Sequence, residues 1–94
     1  MDVLGGRLTG GDTMNYYYTI VIRDEEKNLN TAAVLKVNES YNLLGKLEGI
    51  KNLYGVHPTE TRKKAFELAN FWNECYLKNG TYPFDRVYPA YEWR

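Results

Sequence analysis

The amino-acid sequence predicts an α+β fold: an antiparallel sheet of two or three strands, packed by one long C-terminal helix and followed by an aromatic C-terminal tail. Three observations lead there. Residues 15–24, NYYYTIVIRD, alternate with a period of two; residues 61–79 repeat apolar side chains with the period of a helix; and the closing stretch TYPFDRVYPAYEWR is dense in rings. At 94 residues the chain is the size of one small domain. Folding at that length buries roughly 60–65% of the surface exposed by the unfolded chain, enough for one modest core.

The first strand follows from its side chains. Tyr16, Tyr18, Ile20 and Ile22 fall on one side, and Tyr17, Thr19, Val21 and Arg23 on the other. Aromatic and β-branched residues at nearly every position favour a pleated surface. Apolar residues on both sides suit a central strand or one covered twice. The charged segment DEEKNLN then turns the chain, and TAAVLKVN, residues 31–38, resumes the pattern, giving a hairpin with a loop of about six residues. Leu43, Leu44, Leu47 and Ile50 have helical spacing weakened by Gly45, Gly49 and Gly55. A short helical piece near Tyr41–Leu47 and a third strand over about Ile50–Val56 are expected.

The long helix has the clearest signals. Pro58, Thr59, Glu60 and Thr61 offer an entry proline, two capping hydroxyls and an acid. Ala65, Leu68, Ala69, Trp72, Cys75 and Tyr76 then form a stripe for a core, with Phe66 and Phe71 widening it. Asn79-Gly80 closes the helix, glycine taking the left-handed conformation at its end. The expected helix is Thr61–Asn79. The tail carries Tyr82, Phe84, Tyr88, Tyr91 and Trp93, too many rings for a solvated tail, and should lie over the sheet or on a neighbour.

Residues 1–13, MDVLGGRLTGGDT, lack either period and read as a flexible leader, with a single small domain over 14–94. Thr-Gly-Gly-Asp-Thr-Met can be encoded with AGGAGGTGAT ahead of ATG, a bacterial ribosome-binding sequence at a spacing suited to initiation. Translation is therefore expected to start at Met14. A gene without a purine-rich stretch over Gly10 to Asp12 would remove that expectation.

Composition narrows the function classes. Twelve basic and twelve acidic side chains cancel, whereas proteins held to phosphate backbones by charge usually carry a basic excess. The longest apolar runs fall far short of a membrane span. One cysteine allows no internal disulfide, which with the missing secretory pattern favours a cytoplasmic protein. His57 stands before Pro58 as a turn or capping residue, and Cys75 sits in the helical stripe as a small core residue. The His, Cys and acidic residues have no metal-ligand spacing, and GGRLTGG precedes a strand, the wrong context for a phosphate loop. No catalytic residue, metal or cofactor is nominated.

RKKAFELANFWNECYLKNGTY, residues 62–82, resembles the closing helix of small uncharacterised proteins of phages and integrative elements in Gram-positive gut bacteria. Those proteins combine a strand-rich start, a lysine-rich helix entry, a Trp-Asn-Glu group and an Asn-Gly stop, here Arg62–Lys64, Trp72–Glu74 and Asn79-Gly80. The likeness covers about a quarter of the chain, and the tail after Tyr82 is longer than the pattern. It implies a mobile-element origin and supplies no activity or site residue.

The functional expectation is a non-enzymatic accessory protein that binds a protein partner or itself as a homodimer. Three strands and one helix leave a tyrosine-rich sheet face open for contact. Tyr17, Tyr88, Tyr91 and Trp93 are the expected protein-contact residues, since large rings with polar tips dominate interfaces. The alternative is a module for single-stranded nucleic acid, with Tyr16 and Tyr18 stacking on bases and Arg62, Lys63 and Lys64 meeting phosphates. A small enzyme would need polar groups converging in a cleft around His57.

Overall fold

The structure, a computed structural model, describes residues 15–38 and 42–93. The alternating segment forms β1 (Tyr16–Asp24), paired antiparallel along its length with β2 (Leu29–Val37). Their connection is four residues, shorter than expected. Asn28 takes a left-handed φ of 56°, which asparagine tolerates, and its side chain accepts from the Arg23 guanidinium at 2.6 Å. Lys27 N–H donates to Asp24 Oδ1 at 3.2 Å across the same turn.

A six-residue helix, α1 (Leu43–Glu48), follows close to the expected helical piece. The third strand, β3 (Leu53–Thr59), begins later than predicted because Lys51 and Asn52 form a turn, Asn52 with φ 64°. It pairs antiparallel with β1 through Tyr17↔Thr59, Tyr18↔Pro58, Thr19↔His57 and Ile20↔Val56, with an irregularity at Val21/Ile22. Pro58 thus lies inside a strand rather than at a helix entry, a position open to proline on a sheet edge. His57 is accordingly a strand residue, not a turn or cap.

The long helix is α2 (Arg62–Lys78), with its predicted ends. Thr61 Oγ1 accepts from Lys64 N–H at 3.1 Å, and Gly80 has φ 75° just beyond the C-cap Asn79. The tail ends in β4 (Glu92–Trp93), which pairs parallel with β2 through Val34↔Glu92 and Leu35↔Trp93. The α+β class stands, but the sheet differs from the expected two or three antiparallel strands. Among the described residues it has four, in the order β3-β1-β2-β4, and is mixed because the returning tail runs parallel alongside β2.

Alternation sorts the core into two layers. Ala32 and Val34 pack with Ala65 and Ala69 of α2, flanked by Tyr17, Phe66, Trp72 and Tyr76. Alanine at the helix contacts lets α2 approach the sheet closely. Ile20, Ala33, Leu35 and Val37 face the other way with Ile50, flanked by Tyr18, Leu43, Leu47, Leu53 and Trp93. The second face is therefore not the open tyrosine surface anticipated: α1, its following turn and the Trp93 ring lie against it. Two stripe assignments also change. Phe71 stands two residues beyond Ala69, about 200° around the helix, and is 59% exposed. Cys75 is half-buried on the flank. The expected leader 1–13 and start at Met14 lie outside the described residues.

Candidate functional site

The outer edge of β2 is closed by side chains and tail in alternation. Its residues 30, 32 and 34 turn their backbone groups away from β1, and each meets a different partner. Asn30 N–H donates to Thr81 C=O at 2.6 Å, and Val34 N–H donates to Tyr91 C=O at 2.9 Å. Between them stands a helix side chain. Asn73 Oδ1 accepts from Ala32 N–H at 2.7 Å while Asn73 Nδ2 donates to Ala32 C=O at 3.1 Å. The amide reproduces the hydrogen bonding of a neighbouring strand for one residue. Buried backbone groups require such partners, and Asn73 is itself 1% exposed.

Thr81 and Tyr91 thereby fix both ends of the loop between them. Thr81 N–H also donates to Tyr76 C=O at 2.8 Å, and Ala90 N–H donates to Asn70 Oδ1 at 2.7 Å. Inside the loop Tyr82 is buried, and its phenol oxygen accepts from Tyr88 N–H at 3.3 Å. Phe84 meets Tyr82 edge-to-face at 5.6 Å and Tyr88 edge-to-face at 5.3 Å, geometries favoured by ring quadrupoles. The Arg86 guanidinium lies 6.0 Å from the Tyr88 ring. Anchored below by Tyr82, the loop presents Phe84, Tyr88 and Tyr91 at 52%, 47% and 47% exposure. Tyr91 lies at the C-terminal end of the loop, where its C=O accepts from Val34 N–H. Partial burial raises its phenol pKa, and its ring lies 6.5 Å from Trp93.

The four expected protein-contact residues divide. Tyr88 and Tyr91 belong to this loop, whereas Tyr17 is half-buried beside α2 and Trp93 is half-buried against the opposite core layer. The nucleic-acid set is not brought together. Tyr16 and Tyr18 point to the face opposite α2, by their alternation with Tyr17, while Arg62, Lys63 and Lys64 start α2. Arg62 stacks on Phe66 at 4.6 Å and lies 3.8 Å from Glu92. Lys64 donates to Glu60, and that hydrogen bond and charge lower the Glu60 carboxyl pKa and raise that of Lys64. Sequence reasoning passed over Phe84 as a contact residue and Asn70 and Asn73 as its supports. An asparagine four residues after Ala69, on the core stripe, was the available signal.

His57 is exposed on β3 with its ring edge-on to Trp72 at 5.8 Å. Two hollows open elsewhere, at the β1–β2 turn. One of about 110 Å³ is lined by Arg23, Glu25, Asn52, Leu53 and Tyr54, and one of about 360 Å³ by Asp24, Glu25, Glu26, Lys51 and Asn52. Neither includes His57 or Cys75. Among the described residues there is no group of three His, Cys, Asp or Glu side chains placed to hold a metal ion, and no helix is long and apolar enough to cross a membrane. The chain matches no protein-family model, no curated protein and no solved structure.

Proposed function

We propose that this chain is a non-enzymatic accessory protein that binds a protein partner through the aromatic loop between Thr81 and Tyr91. One observation carries the reading: Phe84, Tyr88 and Tyr91 are about half exposed on a loop hydrogen-bonded at both ends to the β2 edge. Rings held in place lose little freedom on binding, and aromatic anchors supply much of the energy of protein interfaces. We propose a cytoplasmic setting, which a chain with one cysteine fits, and a mobile-element origin, which rests on the sequence resemblance of residues 62–82 alone.

The test is a paired affinity capture from bacterial lysate, with the wild-type chain and the triple variant Phe84→Ala/Tyr88→Ala/Tyr91→Ala as baits. Circular dichroism first establishes that both are folded. A discrete protein retained by wild type through nuclease treatment and lost by the variant supports the proposal. Retention of that protein by both baits moves the contact elsewhere. Recovery of nucleic acid that is lost with salt selects the phosphate-binding alternative.

A further inference from the structure

Three outward amides of β2 end on three different parts of the molecule. Asn30 N–H donates to Thr81 C=O, Ala32 N–H to the Asn73 side chain of α2, and Val34 N–H to Tyr91 C=O. Two of these acceptors belong to the tail, whose ends are held unequally. At its start Thr81 N–H and Oγ1 both donate to Tyr76 C=O, at 2.8 and 3.3 Å, and Thr81 C=O accepts from Asn30 at 2.6 Å. Tyr82 beside it is buried, and through its phenol oxygen and the Phe84 ring it holds Tyr88. At the far end β4 is two residues in parallel pairing, the weaker kind per residue. Trp93 there is half-buried, and Arg62, 3.8 Å from Glu92, is exposed, so that ion pair is worth little. Ala90 N–H rests on the Asn70 side chain. Pro89 joins the two halves and has no N–H with which to fasten either.

We infer that residues 90–93 form a strap that detaches from β2 and docks again, while Thr81, Tyr82 and the rest of the sheet stay in place. Segments held by few buried contacts open at a lower free energy than the whole domain. β1 and β2, by contrast, pair along nine residues each. Detachment takes Tyr91 C=O away from Val34 and carries off the Tyr91 and Trp93 rings, which lie 6.5 Å apart. It leaves Asn30 on Thr81 and Ala32 on Asn73. The strap also divides the exposed rings, because Phe84 and Tyr88 ride on Tyr82 whereas Tyr91 moves. A partner that needs all three rings engages the docked form alone, and its apparent affinity scales with the docked fraction. That consequence rests on the aromatic loop being the contact surface; the detachment itself does not.

Native-state hydrogen exchange of the full chain, followed by NMR and corrected for intrinsic rates, tests the strap. Val34 N–H should exchange at least about tenfold faster than Ala32 N–H and Asn30 N–H on the same edge. Urea below the unfolding transition should speed Ala32 steeply and Val34 little, because detaching the strap exposes little surface. Two variants separate local from global opening. Val21→Ala, in the buried part of β1, should speed Ala32 about tenfold and leave Val34 unchanged. Trp93→Ala, which removes the ring that docks the strap, should speed Val34 at least about tenfold. The inference is overturned if Val34 and Ala32 exchange at matching rates, if Val21→Ala speeds both equally, or if Trp93→Ala leaves Val34 unchanged. Exchange of Asn30 as fast as Val34 would mean that the tail lifts from Thr81 onward, which overturns the fixed end. No partner is present in this measurement, so its failure and that of the proposed contact surface are read separately.

Discussion

Replacing Asn73 by alanine removes the side chain that completes the middle of the β2 edge. Ala32 is fully buried, and in the wild type its N–H and C=O both end on the Asn73 amide, at 2.7 and 3.1 Å. Truncation orphans both groups, at about 1–3 kcal/mol each if no water enters, and leaves a small void. A loss near 3 kcal/mol is expected, against a total stability of roughly 5–14 kcal/mol for a domain of this length. It corresponds to a fall in Tm of about 12–24 °C. The assay is urea unfolding followed by tryptophan fluorescence, with the slope compared between variants so that the midpoint shift reports stability.

Asn73→Asp supplies the pH test. A protonated carboxyl can accept from Ala32 N–H and donate to Ala32 C=O, as the amide does, whereas a carboxylate is buried and faces a carbonyl. Its folded pKa should therefore lie above the unfolded value of about 3.9. A raised folded pKa means that the stabilising contribution is fully present below the unfolded value and lost as pH rises through the folded one. The stability gap between Asn73→Asp and wild type should be smaller near pH 3 than at pH 7. If Asn73→Ala shifts stability by less than about 0.5 kcal/mol, as surface substitutions do, the amide does not hold the β2 edge.

Three further outcomes follow from the helix ends and the titrating groups. Thr61→Ala deletes the hydroxyl that accepts from Lys64 N–H and should cost about 1 kcal/mol in the same unfolding assay. Gly80→Ala meets no atom, yet must hold φ at 75°, so a conformational cost of about 1 kcal/mol is expected. In NMR titrations Glu60 should ionise below its ordinary 4.5 and return toward it in Lys64→Ala, while Tyr76 and Tyr91 should ionise above 10.0 because burial disfavours the phenolate. Any stability from the Glu60–Lys64 pair is lost as pH falls through the folded Glu60 pKa, and that from the two neutral phenols as pH rises above 10.

Local physics made β1 and α2 legible. Alternation of rings and branched chains needs a sheet whatever its partners, and Thr61 and Asn79-Gly80 mark helix ends through their own backbone preferences. The rest depended on distant partners. Pro58 reads as a helix entry until β3 is known to be an edge strand, where its missing N–H costs no ladder bond. The parallel pairing of β4 rests on backbone groups, which leave no residue signature at Glu92 or Trp93. Asn73 sits among apolar stripe positions, and its purpose becomes visible once Ala32 is found without a neighbouring strand. Tyr88 and Tyr91 were expected at a contact surface from their chemistry alone. Phe84 joins them through a loop whose path is set by Tyr82, Asn70 and the β2 edge. Tyr16 and Tyr18 could not be separated from Arg62–Lys64 before the side of the sheet carrying α2 was known.

The most direct test of the proposed contact surface is amide hydrogen exchange of the full chain, free and bound to the protein recovered by affinity capture. The account predicts that new protection on binding centres on residues 83–91, carrying Phe84, Tyr88 and Tyr91. Protection centred instead on Tyr16–Tyr18 and the Arg62–Lys64 turn, with the loop unchanged, would contradict it.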